Sequence, residues 1–342
     1  MKNLTVTIKD VANLANVSTA TVSLALSGDS RVNIKTKKLV EEAANKLNYI
    51  PNEIGRSLRA KKTETISFII PNTSHHVFTH PYFAQLLEGI NEVLDNHNYN
   101  LLLSTSPSEK DESAAYNKIL KNRRADGIIL SSASINDLNI LRLVESGFPV
   151  VYLGKLRHDN VLTVERDDIG GAYTATEHLI RIGRKRIVHI TGPLDHQEGI
   201  DRLDGYKKAL LDNKIHFDES LIIEKDFSRE SGYEAAAELM RNHIEYDALF
   251  AGNDLMAIGA LKFYKENKIS VPGDVSVVGF DDIEMSTVVS PMLTTIHQPM
   301  REIGYAAAEK LISFLNNQEV QEKRTIMSTH LVIRESCGAE RL

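Results

Sequence analysis

Thr7-Ile8-Lys9-Asp10-Val11-Ala12-Asn13-Leu14-Ala15-Asn16-Val17-Ser18-Thr19-Ala20-Thr21-Val22-Ser23-Leu24-Ala25-Leu26 is the stretch whose reading decides the first part of the fold. Thr7 with Asp10 three residues on is a capping box in its Asp variant, and Val11, Leu14 and Ala15 fall at i, i+3, i+4. That spacing predicts a short helix over Ile8 to Ala15. Asn16-Val17 breaks the pattern, and Ser18 caps a second short helix through about Leu26, with Val22 and Leu26 facing inward. Two helices of about two turns joined by about three residues is the helix-turn-helix spacing. Thr19, Ala20, Thr21 and Ser23 are small or hydroxylic, suited to lying near a groove floor and its phosphates. Ser27-Gly28-Asp29 supplies turn chemistry, and a third helix is expected from about Asn33 to Asn48, with Leu39, Val40, Ala43, Ala44 and Leu47 on one face.

Charge supports this head. Residues 1–62 carry 11 Lys and Arg against 5 Asp and Glu, a net of +6, while residues 63–342 carry 29 against 41, a net of −12. A basic head on an acidic body suggests that the head meets a polyanion. A membrane-surface head is disfavoured, because no basic stripe lies opposite Trp, Phe or Leu. The remaining alternative is a purely structural bundle. Pro51 stops the third helix, and Asn52 caps a further short helix with Gly55 in its middle and Arg56, Arg59, Lys61 and Lys62 beyond. Such a helix is marginal alone and is expected to form only against a partner; a plain linker is the other reading.

Length and composition bound the rest. A chain of 342 residues is too long for one ordinary core and implies two or three domains. Hydrophobic residues at 42% and charged residues at 25% fit a soluble globular protein. No apolar run approaches the roughly 18–20 residues of a membrane span, and no apolar stretch backs the first charges as in a signal peptide. The single Cys337 excludes a disulfide framework and any Cys-based zinc site. A cytoplasmic protein is the expectation.

Thr7-Ile8-Lys9-Asp10-Val11-Ala12, Val17-Ser18, Thr21-Val22-Ser23, Tyr49-Ile50-Pro51-Asn52 and Leu58 together resemble the lactose/galactose repressor family of bacterial transcription factors. The similarity continues through the body, and many short matches occur in one order. It implies a second helix docked in the major groove and paired hinge helices entering the minor groove, where Leu58 wedges into the central base step. The residues expected at DNA are Thr7, Ser18, Thr19, Ala20, Thr21, Ser23, Leu24, Asn33, Tyr49, Asn52, Arg56, Leu58 and Arg59. Family members commonly carry arginine where this chain has Leu24, and more often alanine where it has Gly55.

From Thr65 strands alternate with helices, which predicts an α/β body of parallel sheets flanked by helices. Strands are expected at Ile66–Ile70, Asn100–Leu103, Gly127–Leu130, Pro149–Leu153, Arg186–Ile190, Ile222–Glu224, Ala248–Ala251 and Val275–Gly279. Two such halves around a cleft resemble the sugar-binding proteins of bacterial periplasms. The expected division is a head over 1–50, a hinge over 51–63, and a body over 64–342. Its first lobe takes about 64–162 and 293–325, and its second about 163–292 and 326–342, since the family body crosses between halves three times.

Open α/β sheets bind ligands at the carboxyl ends of their strands. There fall Gly192-Pro193, Arg202 at a helix start, Asp226-Phe227-Ser228, Gly252-Asn253-Asp254 and Asp281-Asp282. Asn253 can donate and accept towards a hydroxyl. By resemblance, Arg202 holds effector oxygens, Phe227 packs against a ligand ring, and Asp281 accepts hydroxyls. Tyr82, Phe83 and Gln298 are expected to close the site from the other half. Each alone reads equally well as a cap or core residue; their joint arrival at successive strand ends carries the reading. His75, His76 and His80 have no carboxylate spaced with them, so no metal is expected, and they line the loop by the cleft or are solvated. No phosphate-binding glycine motif and no nucleophile elbow is present, so no cofactor is expected.

These observations point to a homodimeric repressor of a pseudo-palindromic double-stranded operator, controlled by a small sugar or sugar phosphate, with no membrane contact and no enzymatic activity. The alternatives are a sugar-cleft binding protein or enzyme that does not bind DNA, and a family regulator controlled by a protein partner.

Overall fold

A computed structural model describes residues 6–27, 29–49, 62–70, 80–105, 124–131, 135, 137–156 and 161–339. Asn52, Gly55, Arg56, Leu58 and Arg59 of the expected hinge, and His75 and His76, lie outside the described residues. The chain divides into two compact units, Met1–Thr63 and Glu64–Leu342.

The first unit packs α1 (Ile8–Ala15), α2 (Thr19–Leu26) and α3 (Ile34–Lys46) around Val11, Ala12, Val22, Ala25, Val40, Ala43 and Ala44. Each helix start is capped by its own sequence. Thr7 donates its N–H and its hydroxyl to the Asp10 carboxylate at 2.8 and 2.7 Å. Ser18 Oγ accepts from Thr21 N–H, and Asn33 Oδ1 from Thr36 N–H. Two of the expected core positions are corrected: Leu14 is 46% exposed and Leu39 54% exposed. Short helices bury a narrow stripe, centred here on Val11-Ala12 and on Val40, Ala43, Ala44, and both leucines fall outside it. On α2 the fully buried side chains are Val22, as expected, and Ala25, with Leu26 at the margin.

The second unit has two lobes. The first sheet runs β11-β5-β4-β3-β1-β2, all parallel, from β1 (Thr65–Ile70), β2 (Asn100–Thr105), β3 (Gly127–Ser131), β4 (Val150–Leu153), β5 (Leu162–Arg166) and β11 (Arg324–Met327). The second runs β12-β10-β9-β8-β6-β7, from β6 (Ile187–Thr191), β7 (Ile222–Glu224), β8 (Ala248–Ala251), β9 (Ser276–Asp281), β10 (Thr294–His297) and β12 (His330–Val332), with only β12 antiparallel. The α-helices of this unit among the described residues are α4 (Pro81–Asn96), α5 (Leu138–Glu145), α6 (Asp168–Arg181), α7 (Gln197–Asp212), α8 (Arg229–Arg241), α9 (Asp254–Glu266) and α10 (Met300–Leu315). Apolar clusters cover both faces of each sheet, as buried parallel strands require. The helices α4 and α10 approach so closely that a Cβ on Gly89 would stand 1.9 Å from the Arg301 carbonyl oxygen.

Strand membership corrects the expected lobe boundaries. Strand β5 pairs with β4, so the first lobe runs through Arg166; β10 pairs with β9, so the segment returning to the first lobe begins near Met300, not at 293; and β11 carries that segment through Met327. The three crossings are Arg166 to Asp168, His297 to Met300, and Met327 to His330. In each sheet the order reverses beside its first strand, β1 or β6, which opens a crevice at the carboxyl ends of β1 and β3 and of β6 and β8.

Candidate functional site

The carboxyl ends of β6, β8 and β9 present Gly192, Asn253 and Asp281. Arg202 reaches them from inside α7. It was expected at a helix start, but α7 begins at Gln197; the polar Gln197-Glu198-Gly199 turn carries no apolar period to announce it. Arg202 Nε donates to Asp168 Oδ1 at 2.8 Å, Nη1 donates to the Gly252 carbonyl, and the guanidinium lies 3.9 Å from the Phe280 ring centroid. Asp281 Oδ1 stands 3.9 Å from Arg202 Nη1 and accepts from Gln298 Nε2 at 2.5 Å. Burial drives the Asp281 carboxyl up to about 7, against the pull of Arg202 and Arg166.

Three site positions hold left-handed backbone: Phe227 (φ 68°), Asp281 (φ 122°) and Asp282 (φ 61°). Non-glycine residues adopt such angles at a cost that the surrounding structure must cover, and they cluster at functional sites. Gly192 leaves the space that the Phe227 ring fills, since a Cβ there would meet the ring at 1.8 Å. Asn253 caps α9 with Oδ1 on Met256 N–H and donates Nδ2–H to the Phe227 carbonyl, both at 2.9 Å.

From the first lobe come His80, Tyr82 and Phe83, ring edges against one another at 4.9 to 6.2 Å. Phe83 belongs mainly to the first lobe's core. Gln298 was expected from the first lobe; it follows β10 directly and so hangs from the second lobe at a crossing. Its Oε1 is buried with no hydrogen-bond partner.

Sequence reasoning missed Arg166, Asp168 and Glu198. Arg166 donates to the Tyr82 hydroxyl, to Glu198 Oε1 at 2.8 Å and to Asp168 Oδ2 at 3.3 Å, joining the lobes beneath the site. Burial alone would raise Asp168, but Arg166 and Arg202 together hold its carboxyl below the ordinary range. The charged run Glu165-Arg166-Asp167-Asp168 at a strand end was the available signal, hidden because β5 itself was not read. Among the described residues no cluster of His, Cys, Asp or Glu is arranged to hold a metal.

On the head, Thr19 and Ala20 are exposed and Thr21, Ser23 and Leu24 half-buried along α2. Thr7, Ser18 and Asn33 cap helices, and Tyr49 packs on the head's core.

A helix-turn-helix head followed by a two-lobed body with a polar crevice defines a class: regulators that join a DNA-binding unit to a ligand-binding one. Residues 7–52 match the family model for bacterial regulatory proteins of the lacI family, and residues 63–336 that for periplasmic binding proteins and the sugar binding domain of the LacI family. The chain is 33% identical over 335 residues to the HTH-type transcriptional regulator CelR of Thermobifida fusca, covering 96% of this chain and 98% of that one. It is 32% identical over 338 residues to Catabolite control protein A of Priestia megaterium, covering 97% and 99%. A lac repressor dimer bound to operator and the anti-inducer ONPF superposes with a TM-score of 0.85 at 28% identity, covering 98% and 99%. A CelR–cellobiose complex gives 0.76 at 33% identity, covering 97% and 99%. The chain therefore belongs to the LacI family of bacterial transcriptional regulators. Among the described residues no helix is long and apolar enough to cross a membrane.

Proposed function

We propose that the chain is a repressor that binds a pseudo-palindromic double-stranded operator as a homodimer in the cytoplasm, catalyses no reaction, and changes its operator affinity when a sugar or sugar phosphate fills the interlobe cleft. The observation that carries this reading is the donor and acceptor set around the second lobe's strand ends. A guanidinium (Arg202), two amides (Asn253, Gln298) and a carboxylate (Asp281), all buried, stand beside the half-buried Phe227 ring, and one amide oxygen still lacks a partner. Alternating fork donors and acceptors suit vicinal hydroxyls, and the ring suits the apolar face of a sugar. The DNA-contact assignment rests on the exposed small residues of α2 together with the basic head.

The test is a thermal-shift screen of sugars and sugar phosphates, headed by cellobiose because a solved relative is a complex with it, followed by operator titrations. A ligand at about 100 times its Kd is expected to stabilise the fold by about 2.7 kcal/mol. At saturation it is expected to shift operator affinity by about 1–3 kcal/mol. No stabilising sugar, or a bound sugar that leaves operator affinity unchanged, would refute the proposal.

A further inference from the structure

Strand β9 ends in a corner that the backbone does not favour. Asp281 and Asp282 both hold positive φ, 122° and 61°, and Ile283 returns to extended geometry at φ −70° and ψ 155°. Non-glycine residues keep such angles only where the surrounding structure over-determines them. On the more exposed side the ties run to Asp282, whose carboxylate accepts from Arg334 Nη2 at 2.5 Å and meets His297 Nδ1 at 2.9 Å. On the inner side stands Asp254, fully buried at the first position of α9.

Asp254 Oδ2 accepts from Ile283 N–H, the first amide beyond the corner, at 2.9 Å, and Oδ1 accepts from the Thr295 hydroxyl at 2.5 Å. Thr295 lies opposite Gly279 in the register of β10 on β9. The carboxylate rests in the gap that Gly279 leaves, since a Cβ there would meet Oδ1 at 2.2 Å. Its neighbour Asn253 caps the same helix and donates to the Phe227 carbonyl. The first turn of α9 thus fixes two cleft residues, Asn253 directly and Asp281 through the corner. Removing the Asp254 carboxylate would leave a buried N–H and a buried hydroxyl without their acceptor, a cost that movement of the corner relieves. A return of Asp281 to negative φ swings its Cα–Cβ bond and carries the carboxyl away from Arg202 and Gln298.

We infer that Asp254 is a positioning residue of the cleft. By gripping Ile283 N–H and the Thr295 hydroxyl, it holds the Asp281-Asp282 corner in the form that presents the Asp281 carboxyl to a sugar hydroxyl. It acts without touching the ligand. The step from carboxyl to hydroxyl rests on the sugar-cleft reading above; the hold on the corner does not.

Two measurements on the ligand-free full chain test that hold. In wild type the Ile283 amide is expected to exchange with solvent about a hundredfold or more slowly than a free peptide; exchange at the free-peptide rate would overturn the inference. In crystals of Asp254→Ala, Asp281 or Asp282 is expected to have left positive φ, while Asp254→Asn keeps both angles. Asparagine can preserve both bonds, its amide oxygen accepting from Ile283 N–H and its amide N–H donating to the Thr295 oxygen. Unchanged angles in Asp254→Ala would overturn the inference. Should the alanine variant fail to fold, Asp254→Ser takes its place, its hydroxyl being too short to reach both partners.

Calorimetric titration of the same chains then uses cellobiose, glucose, galactose, ribose and the phosphates of the three monosaccharides. For the sugar that wild type binds, Asp254→Ala is expected to lose about tenfold or more in affinity. Asp254→Asn is expected to stay within about threefold. Operator affinity without sugar is expected to stay within about threefold in both variants; a parallel fall there would make Asp254 a support of the whole fold and overturn the inference. Equal sugar binding by all three chains, or equal loss in both variants, overturns the role of Asp254 and leaves the sugar reading standing. Failure of the whole panel to bind wild type overturns the sugar reading, while the angles and the amide decide the hold.

Discussion

The head and the cleft satisfy their polar groups in opposite ways. Each cap in the head finds its partner three positions along the chain. Apart from Arg166 on Asp168, two positions apart, the side-chain bonds that tie the cleft's elements together reach far along the chain: 17 positions for Gln298 on Asp281, 34 for Arg202 on Asp168 and 84 for Arg166 on the Tyr82 hydroxyl. The head's surface is therefore assembled by local rules, and a change on it stays where it is made. The cleft is assembled by the tertiary fold, and each of its groups leans on several others.

The sharpest way to break that contrast is Asp281→Ala. It removes the acceptor of Gln298 and the carboxylate beside Arg202, leaving buried donors without partners. Ligand affinity is expected to fall by about 2–5 kcal/mol, and the operator affinity of the variant to ignore added sugar. A normal response in operator titrations would show that the cleft does not act as a unit.

Next in size is a pH effect. Because burial raises the Asp281 carboxyl to about 7 from its ordinary 3.8, the folded state keeps its proton longer than the unfolded chain. The stability owed to this group is full below about pH 4 and is lost as pH climbs through about 7. Asp281→Asn carries no such charge and is expected to gain on wild type by on the order of 2–4 kcal/mol between about pH 4 and pH 8. Urea unfolding at several pH values reads this directly; a pH-independent difference would place Asp281 in water.

Gly89→Ala tests the body's packing, since the added Cβ would overlap the Arg301 carbonyl and force α4 from α10. A loss of about 1–3 kcal/mol in urea unfolding is expected. Leu24→Arg tests the head. Leucine offers only apolar contact, such as with a thymine methyl, whereas arginine reads guanine with two bonds. Operator selection is expected to shift towards G·C at one base pair by roughly 1–3 kcal/mol, with the head's fold unchanged. The smallest effect is Ser18→Ala, expected to cost about 1 kcal/mol of head stability through loss of the α2 cap.

The same contrast explains what could be read without a structure. The bounds of α1 and α2 follow from Thr7, Asp10 and Ser18, because a cap and its helix are neighbours in sequence. Arg202, Phe227, Asn253 and Asp281 were legible as residues at successive strand ends. Strands β5 and β11 were not. Leu162-Thr163-Val164-Glu165-Arg166 carries charges that look solvated until Arg324 from the returning segment clasps Glu165 with two bonds at 2.6 and 2.7 Å. No local pattern encodes a partner 159 positions away. Leu14 and Leu39 fail for the converse reason: they keep helical periodicity yet lie beyond the edge of a small core.

The three crossings between lobes set the order in which the body becomes a folded object during synthesis. Strand β11 completes the edge of the first sheet and α10 covers its face, packing Leu311, Ile312 and Ile303 into one cluster with Phe68, Leu86 and Ile90. A nascent chain that has reached only the end of β5 therefore displays that apolar face to water. Translation must pass Met327 before the first lobe can close and His330–Val332 before the second sheet gains its last strand. The head's core is complete within the first fifty residues, whereas the first lobe's core draws on residues from Ile66 to Ile312 and so leaves apolar surface exposed for most of synthesis.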